Sequence, residues 1–417
     1  MVRYVFLSVI LFLFNLEHSF SLEAGFDFDS LTSFPDYKVV MKKVGQGSST
    51  LLKNELNGEI VIDDAGSSAN TPFNLEERIG EELGIATVSS DLPSFIGRIT
   101  LITSHTDEDH IDYLYKVFGK NARLFRKLSQ VLLGDHLSNY YKSSEAKTFL
   151  RTVVRNLKDP TVQAISLSHD TPITPAIIDA EAENDALYPS ATYRGYQENY
   201  PIDGFLDVSQ QSPHHFLSIL SMNAGANTKK LKDENTNSCI VRLCLNGQNI
   251  LIMGDATGLT TRRILLTPAN HEEGKLETSL LVASHHGAKD HETNNGLWLS
   301  IIKPKRVAIS AGYRDVWFHP RAEVIMDMMI VDSLTDRKCD ISLEKDNHFF
   351  TLSGDRESTK FYVDYLSQYM TYKGNHPKES NWLVFETDKS IYNTAWSGDL
   401  TYVYDNLGQL VDFHREN

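Results

Sequence analysis

An apolar run, Arg98 to Thr103, passes without a break into Ser104-His105-Thr106-Asp107-Glu108-Asp109-His110. Four residues of types that bind divalent ions, His105, Asp107, Asp109 and His110, fall within six positions of this motif. The run reads as a buried strand, and Ile111 to Phe118 reads as a helix ended by Gly119. A ligand at a strand end and others at the start of a helix can converge, because the turn between them folds back. In the first helical turn Asp109 is also favoured by the helix dipole. Helix capping alone accounts for acids at Asp107, Glu108 and Asp109, but it covers none of the histidines.

The same placement recurs along the chain. Asn249 to Met253 reads as a strand and leads to Gly254-Asp255; Ser279 to Ser284 leads into His285-His286-Gly287; Arg306 to Ser310 precedes His319-Pro320. Helices are predicted over Thr260 to Leu266 and Leu297 to Ile302. Ahead of the motif, Tyr37 to Val44 alternates like a half-buried strand, and Thr50 to Lys53 and Glu59 to Asp63 flank the hairpin dipeptide Asn57-Gly58. The chain is long enough, at 417 residues, for one large domain or two ordinary ones. Residues 120 to 235 mix helix-like stretches (His136 to Lys158) with strand-like ones (Val162 to Leu167, His215 to Ser221) and read as an elaboration. The stretch after residue 345 reads as a β-rich C-terminal extension, with strands at Trp382 to Thr387 and Leu400 to Tyr404.

Met1 to Ser21 has the pattern of a secretory signal, with Arg3 ahead of the apolar run Val5 to Leu16 and small residues at Ser19 and Ser21. The run is shorter than the ~20 residues a membrane-spanning helix needs. The expectation is a secreted or periplasmic protein beginning near Leu22, with no stable membrane insertion. Three cysteines, Cys239, Cys244 and Cys339, exclude a disulfide framework. They read as buried thiols, with one bond from Cys339 to either of the others as the alternative. The net charge of −15 opposes a polyanionic partner unless basic residues cluster locally. Lys120, Arg123, Arg126 and Lys127, and Arg151, Arg155 and Lys158, are the candidate clusters, although such runs are usually a solvated helix face.

Taken as an ordered set, the motifs resemble the metallo-β-lactamase superfamily, and most closely the hydrolase domain of the bacterial competence DNA-uptake protein ComEC and its stand-alone relatives. The resemblance runs through Val44-Gly45-Gln46-Gly47, Ile62-Asp63-Asp64-Ala65-Gly66, Ser104 to His110, Asn237-Ser238, Met253-Gly254-Asp255-Ala256, Ser284-His285-His286-Gly287, and Ser310-Ala311-Gly312 with His319-Pro320. It implies an α+β fold, a four-layer αββα sandwich spanning residues 22 to 345. It also implies two divalent metal ions, zinc or manganese: His105 and Asp107 on one, Asp109 and His110 on the other, Asp255 bridging, and one of His285 and His286 as the last ligand. His319 would face the site, holding a phosphate or acting as an acid, while ordinary turn chemistry is the alternative for a His-Pro pair. The place where many members carry a further histidine holds Asn237. That leaves the first site oxygen-rich and lets manganese or magnesium compete with zinc. Asp112, Tyr113 and Ala288 depart from the residues usual in the family.

The expected chemistry is metal-assisted hydrolysis, with Asp109, Asp255 and His319 as the catalytic candidates. The resemblance points to a phosphodiesterase or nuclease-like enzyme, with a phosphodiester or other small hydrolysable substrate and nucleic acid among the candidate partners. Lactone, thioester or β-lactam hydrolysis is the enzymatic alternative. A secreted binding protein on the same scaffold is the non-enzymatic one.

Overall fold

The computed structural model describes residues 36–45, 47–67, 75–83, 97–120, 122–135, 137–140, 143–156, 163–166, 197–202, 204–206, 212–225, 234–270, 274–311, 319–336, 359–364, 382–387 and 389–416. The expected leader, His136, the side chains of Arg123, Arg155 and Lys158, and Cys339 lie outside them. Among the described residues no helix is long and apolar enough to cross a membrane.

Strands β1 (Tyr37–Met41), β2 (Thr50–Asn54) and β3 (Ile60–Asp63) form the expected meander, and β4 (Ile99–Thr103), β5 (Leu128–Leu133) and β6 (Gln163–Ser166) extend it in parallel. The second sheet begins with β7 (Gln197–Pro201), β8 (Phe216–Met222), β9 (Ile240–Leu245) and β10 (Gln248–Ile252). It continues through β11 (Thr278–Val282) and β12 (Val307–Ile309), again in parallel. The β9–β10 hairpin turns at Asn246 and Gly247, both at positive φ, 48° and 82°. Two-residue hairpin loops favour that geometry because its twist matches that of the strands.

A separate hairpin pairs β13 (Thr359–Asp364) with β14 (Trp382–Thr387). The last three strands do not form an extension. β15 (Ile391–Asn393) joins the second sheet beside β12, while β16 (Asp399–Tyr404) lies between β1 and β17 (Leu410–Glu416) in the first. The sheets therefore run β17-β16-β1-β2-β3-β4-β5-β6 and β15-β12-β11-β10-β9-β8-β7. Asp399, at the start of β16, is buried against Lys42 (3.2 Å) and Arg78 (2.8 Å), tying the late strand to the early part of the chain. Likewise the region expected as an elaboration supplies four strands, β5 to β8, to the two sheets.

Alternating side chains sort into three cores, as strand pleating requires. Val39, Met41, Val61 and Ile102 meet Ile219, Val241, Leu243 and Ile252 between the sheets. Their neighbours Val40, Ile62 and Leu101 face outward under Ile79, Val117 and Phe149 from helical segments. On the far side Leu251, Leu281 and Ile309 pack beneath Ile264, Trp298 and Ile325 of the helices Gly258–Leu266, Gly296–Ile302 and Ala322–Met329. The result is a four-layer αββα sandwich of the α+β class. Because β3, β4 and β5 run parallel, and β10, β11 and β12 do too, their carboxyl ends open onto loops carrying Asp64, Ser104 to His110, Asp135, Asp255, His285 and His286.

The helix predicted over 111 to 118 is broken. A single turn, Glu108–Ile111, is followed by a wider π turn, Tyr115–Gly119. The backbone of residues 64 to 66 stitches this segment down: Ala65 N donates to His110 O (2.9 Å) and Tyr113 N to Ala65 O (2.9 Å). The two segments approach so closely that a Cβ at Gly66 would lie 2.0 Å from the Asp109 carbonyl oxygen. Gly66→Ala is therefore expected to lower stability by roughly 1–3 kcal/mol, as overpacking does. A shift in the denaturant midpoint, with the fold otherwise intact by circular dichroism, would measure it.

Candidate metal centre

Each expected ligand lies at a strand's carboxyl end, and the loops bring most of them together. His105, His110 and Asp255 place ligand atoms within 4.8 Å of one another, as do Asp109, His110 and His286. His110 belongs to both groups. Its Nε2 lies 3.2 Å from Asp255 Oδ1 and 3.3 Å from His286 Nε2. Asp107 Oδ2 lies 3.5 Å from His105 Nε2, so this more exposed acid edges the first group.

The hydrogen bonds fix which ring nitrogens face the cluster. Ser104 Oγ spends its one hydrogen on Asp64 Oδ2 (2.7 Å), so the 3.0 Å contact to His105 Nδ1 has the ring donating. His110 Nδ1 donates to Asp64 Oδ2 (2.6 Å), and His286 Nδ1 donates to the Ser310 carbonyl (2.7 Å). In all three rings Nε2 is left to point at the acids, the tautomer a metal ligand needs. His105 Nε2 and Asp255 Oδ1 are buried with no hydrogen-bond partner. Buried polar atoms of this kind normally find one.

Charge follows the same plan. Burial would lower His110, but the carboxylates of Asp255 and Asp64 raise it well above the ordinary imidazole range. Burial would also lower His286, which Asp255 and Asp109 raise. Burial would raise Asp255, yet His110, His285 and His286 hold it well below the usual carboxylate range. Asp109 is likewise lowered against its burial, chiefly by His286 and His110. Groups that favour a proton at these nitrogens favour a divalent cation there, and metal binding would release the proton. The donor set thus fits a metal in its orphaned atoms, its tautomers and its charge.

Two adjacent histidines behave differently. Both lie at positive φ, 49° for His285 and 53° for His286, in a turn that Gly287 continues at 78°. The left-handed region costs an ordinary residue roughly 1–2 kcal/mol. Asn294 holds the turn in place, accepting from Ser284 N (3.0 Å) and donating to Ser284 O (2.8 Å). As a result His286 Nε2 lies 3.2 Å from Asp109 Oδ2. His285 reaches only the rim, 3.5 Å from Asp255 Oδ2. His319 sits beside them, its ring centroid 5.5 Å from that of His285 and 6.5 Å from that of His286. Burial, with His286, His285 and Arg321 adding to it, holds His319 well below its usual range, which favours the neutral ring.

Two further acids take part. Asp64, at φ 63°, accepts from Ser104 N (2.7 Å) as well as from Ser104 Oγ and His110, and so positions the ligand loop. Asp135 is buried and accepts from Thr106 Oγ1 (2.7 Å), Asn139 Nδ2 (2.8 Å) and Asn237 Nδ2 (2.9 Å). With its Oδ1 also accepting from Gly225 N (3.1 Å), the Asn237 amide is committed away from the cluster. Asp64→Asn keeps the shape but can no longer accept every one of these bonds. It is expected to weaken metal binding by roughly 10–100-fold, the usual effect of losing a group that orients a ligand, as a chelator titration would measure.

No family model matches the chain. It is 27% identical over 96 residues to "Competence protein ComA" of Neisseria gonorrhoeae, a match covering 23% of this chain and 13% of that protein. Among solved structures, the metallo-β-lactamase fold protein YhfI from Bacillus subtilis aligns at 11% identity and a TM-score of 0.37, over 72% of this chain and 95% of its own. A diphosphatase of the PhnP family aligns at 12% identity and a TM-score of 0.32, over 67% and 89%. Tm1679, a metal-dependent hydrolase of the β-lactamase superfamily, aligns at 12% and 0.33, over 70% and 91%. The layers and sheet order of the chain itself carry its fold, and it is similar to hydrolases of the metallo-β-lactamase fold.

Proposed function

We propose that this chain is a metal-dependent hydrolase acting on phosphodiesters. The observation that carries the reading is the convergence of three imidazole Nε2 atoms, of His105, His110 and His286, within 3.8 Å of a buried carboxylate, Asp255. His105, Asp107 and Asp255 would hold one divalent ion, and Asp109, His110, His286 and Asp255 the other. Held there, such ions supply Lewis acidity and bring the pKa of water toward neutrality. Asp255 orients the attacking water, and Asp109 fixes His286 through their 3.2 Å contact. Neutral His319 donates a hydrogen bond to charge developing on the substrate; a bound cation would hold it neutral all the more. The phosphodiester assignment draws on the sequence resemblance and on the oxygen-rich first site, which suits the harder ions common in phosphoryl transfer.

An aryl phosphodiester, a lactone and a β-lactam, each assayed with added manganese, zinc or magnesium, test the reading. Metal-dependent turnover of the phosphodiester is the expected result. Turnover of the lactone or β-lactam alone would move the substrate class, and metal binding without any turnover would leave the binding-protein alternative.

A further inference from the structure

We infer that Asp135 is a positioning residue of the first metal site, acting on His105 and Asp107 through Thr106, which lies between them in the chain. The inference rests on the metal-centre reading and deepens it. Strands β3 and β5 flank β4 in the first sheet, so the ligand loop that follows β4 has the ends of both as neighbours. Each neighbour supplies a buried aspartate in the left-handed region, Asp64 at φ 63° after β3 and Asp135 at φ 62° after β5. Asp and Asn adopt that backbone more readily than most residues, yet it is uncommon and persists where the surroundings hold it. Asp64 grips Ser104 and His110, whereas Asp135 Oδ2 accepts from the Thr106 hydroxyl (2.7 Å). The loop is thus held at residues 104 and 110 by one acid and at residue 106 by the other.

Asp135 is itself firmly fixed. Gly134 N donates to Thr103 O (2.8 Å), and a Cβ at Gly134 would overlap the Ser104 carbonyl. The buried Tyr140 hydroxyl donates to Gly134 O (2.7 Å) and lies against Thr103 Oγ1. The carboxylate is divided atom by atom: Oδ2 also accepts from Asn139 Nδ2 (2.8 Å), and Oδ1 accepts from Asn237 Nδ2 (2.9 Å). Asn237 Oδ1 in turn accepts from Gly225 N (3.1 Å). Of the first-site ligands Asp107 has most to gain from a braced loop, because its own side chain is 40% exposed. Pinning Thr106 to a strand end limits the backbone on both sides of it, and a ligand set is only as well ordered as the groups that support it.

Asp135→Asn keeps the shape and suits the left-handed backbone. Its amide, however, either turns a donor on Asn237 Nδ2 or leaves the Thr106 hydroxyl hydrogen with no acceptor. The exchanged pair, Asp135→Asn with Asn237→Asp, restores each of these bonds with the roles of residues 135 and 237 reversed. Titrations of the full chain with manganese and with zinc by calorimetry, with circular dichroism of the metal-free protein as the folding check, test the inference. The wild type is expected to take up two equivalents. Asp135→Asn should weaken one of them roughly 10–100-fold and leave the other unchanged. Thr106→Val, which removes the hydroxyl and keeps the bulk, should weaken the same equivalent, and the exchanged pair should recover most of the lost affinity. A merely structural role would lower stability without singling out one equivalent. Wild-type affinity at both sites in Asp135→Asn, or equal weakening of both, would overturn the inference and leave the metal centre standing. If Asp135→Asn does not fold, Thr106→Val and the exchanged pair decide in the same terms. A wild type that binds neither metal would remove the metal centre itself, and the role of Asp135 with it.

Discussion

Asp255→Ala is expected to lower turnover at least about 10³-fold and to reduce bound metal, because it takes away the one carboxylate near both ligand groups. Asp255 Oδ1 lies 3.2 Å from His110 Nε2 and 3.7 Å from His286 Nε2, and Oδ2 lies 3.8 Å from His105 Nε2. Among the described residues no other carboxylate pairs with all three rings. The backbone should survive the change, since the Asp255 N–H donates to Ser238 Oγ (3.2 Å) whatever the side chain. Elemental analysis beside the kinetics would separate the two effects. Wild-type activity in this variant would sink the hydrolase reading.

His319→Ala should cut turnover by roughly ten- to a thousandfold while metal content stays at the wild-type level. The ring is buried beside His285 and His286, and its Nδ1 has no hydrogen-bond partner. Held neutral, it fits a hydrogen-bond donor to developing charge better than a general acid. A role confined to charge stabilisation would appear in kcat more than in KM. Loss of metal in this variant would make His319 a ligand, and full activity would return His319-Pro320 to turn chemistry.

The spatial cluster was legible in the sequence wherever a candidate ligand closely follows an apolar strand, as at His105, Asp255 and His286. The four layers were an implication of the family resemblance, with which the strand-then-helix pattern from residue 237 onward agrees. What stayed hidden depended on partners remote in sequence. Asp64 reads as one of two adjacent acids after a strand, and only its bond to His110, 46 positions away, gives it a role. What sets His286 apart from His285 is the left-handed turn and the Ser310 carbonyl, neither of which leaves a pattern in spacing. β5 was lost because the helix Ala122–Lys127 runs straight into it with no turn residue between. The C-terminal strands looked like an appendage because sequence shows alternation but not the neighbour a strand will choose.

That choice of neighbour bears on how the protein is made. Tyr37 at the start of β1 pairs with Tyr404 in β16, almost the whole chain later, and β12 pairs with β15. A nascent chain can assemble every ligand loop before these strands leave the ribosome, yet β1 and β12 would still present raw sheet edges. Such edges invite pairing with other chains, and closure over so long a separation is intrinsically slow. The interval between emergence of the ligand loops and capture of residues 391–416 is therefore when the chain is most exposed to aggregation, and when a chaperone would matter most.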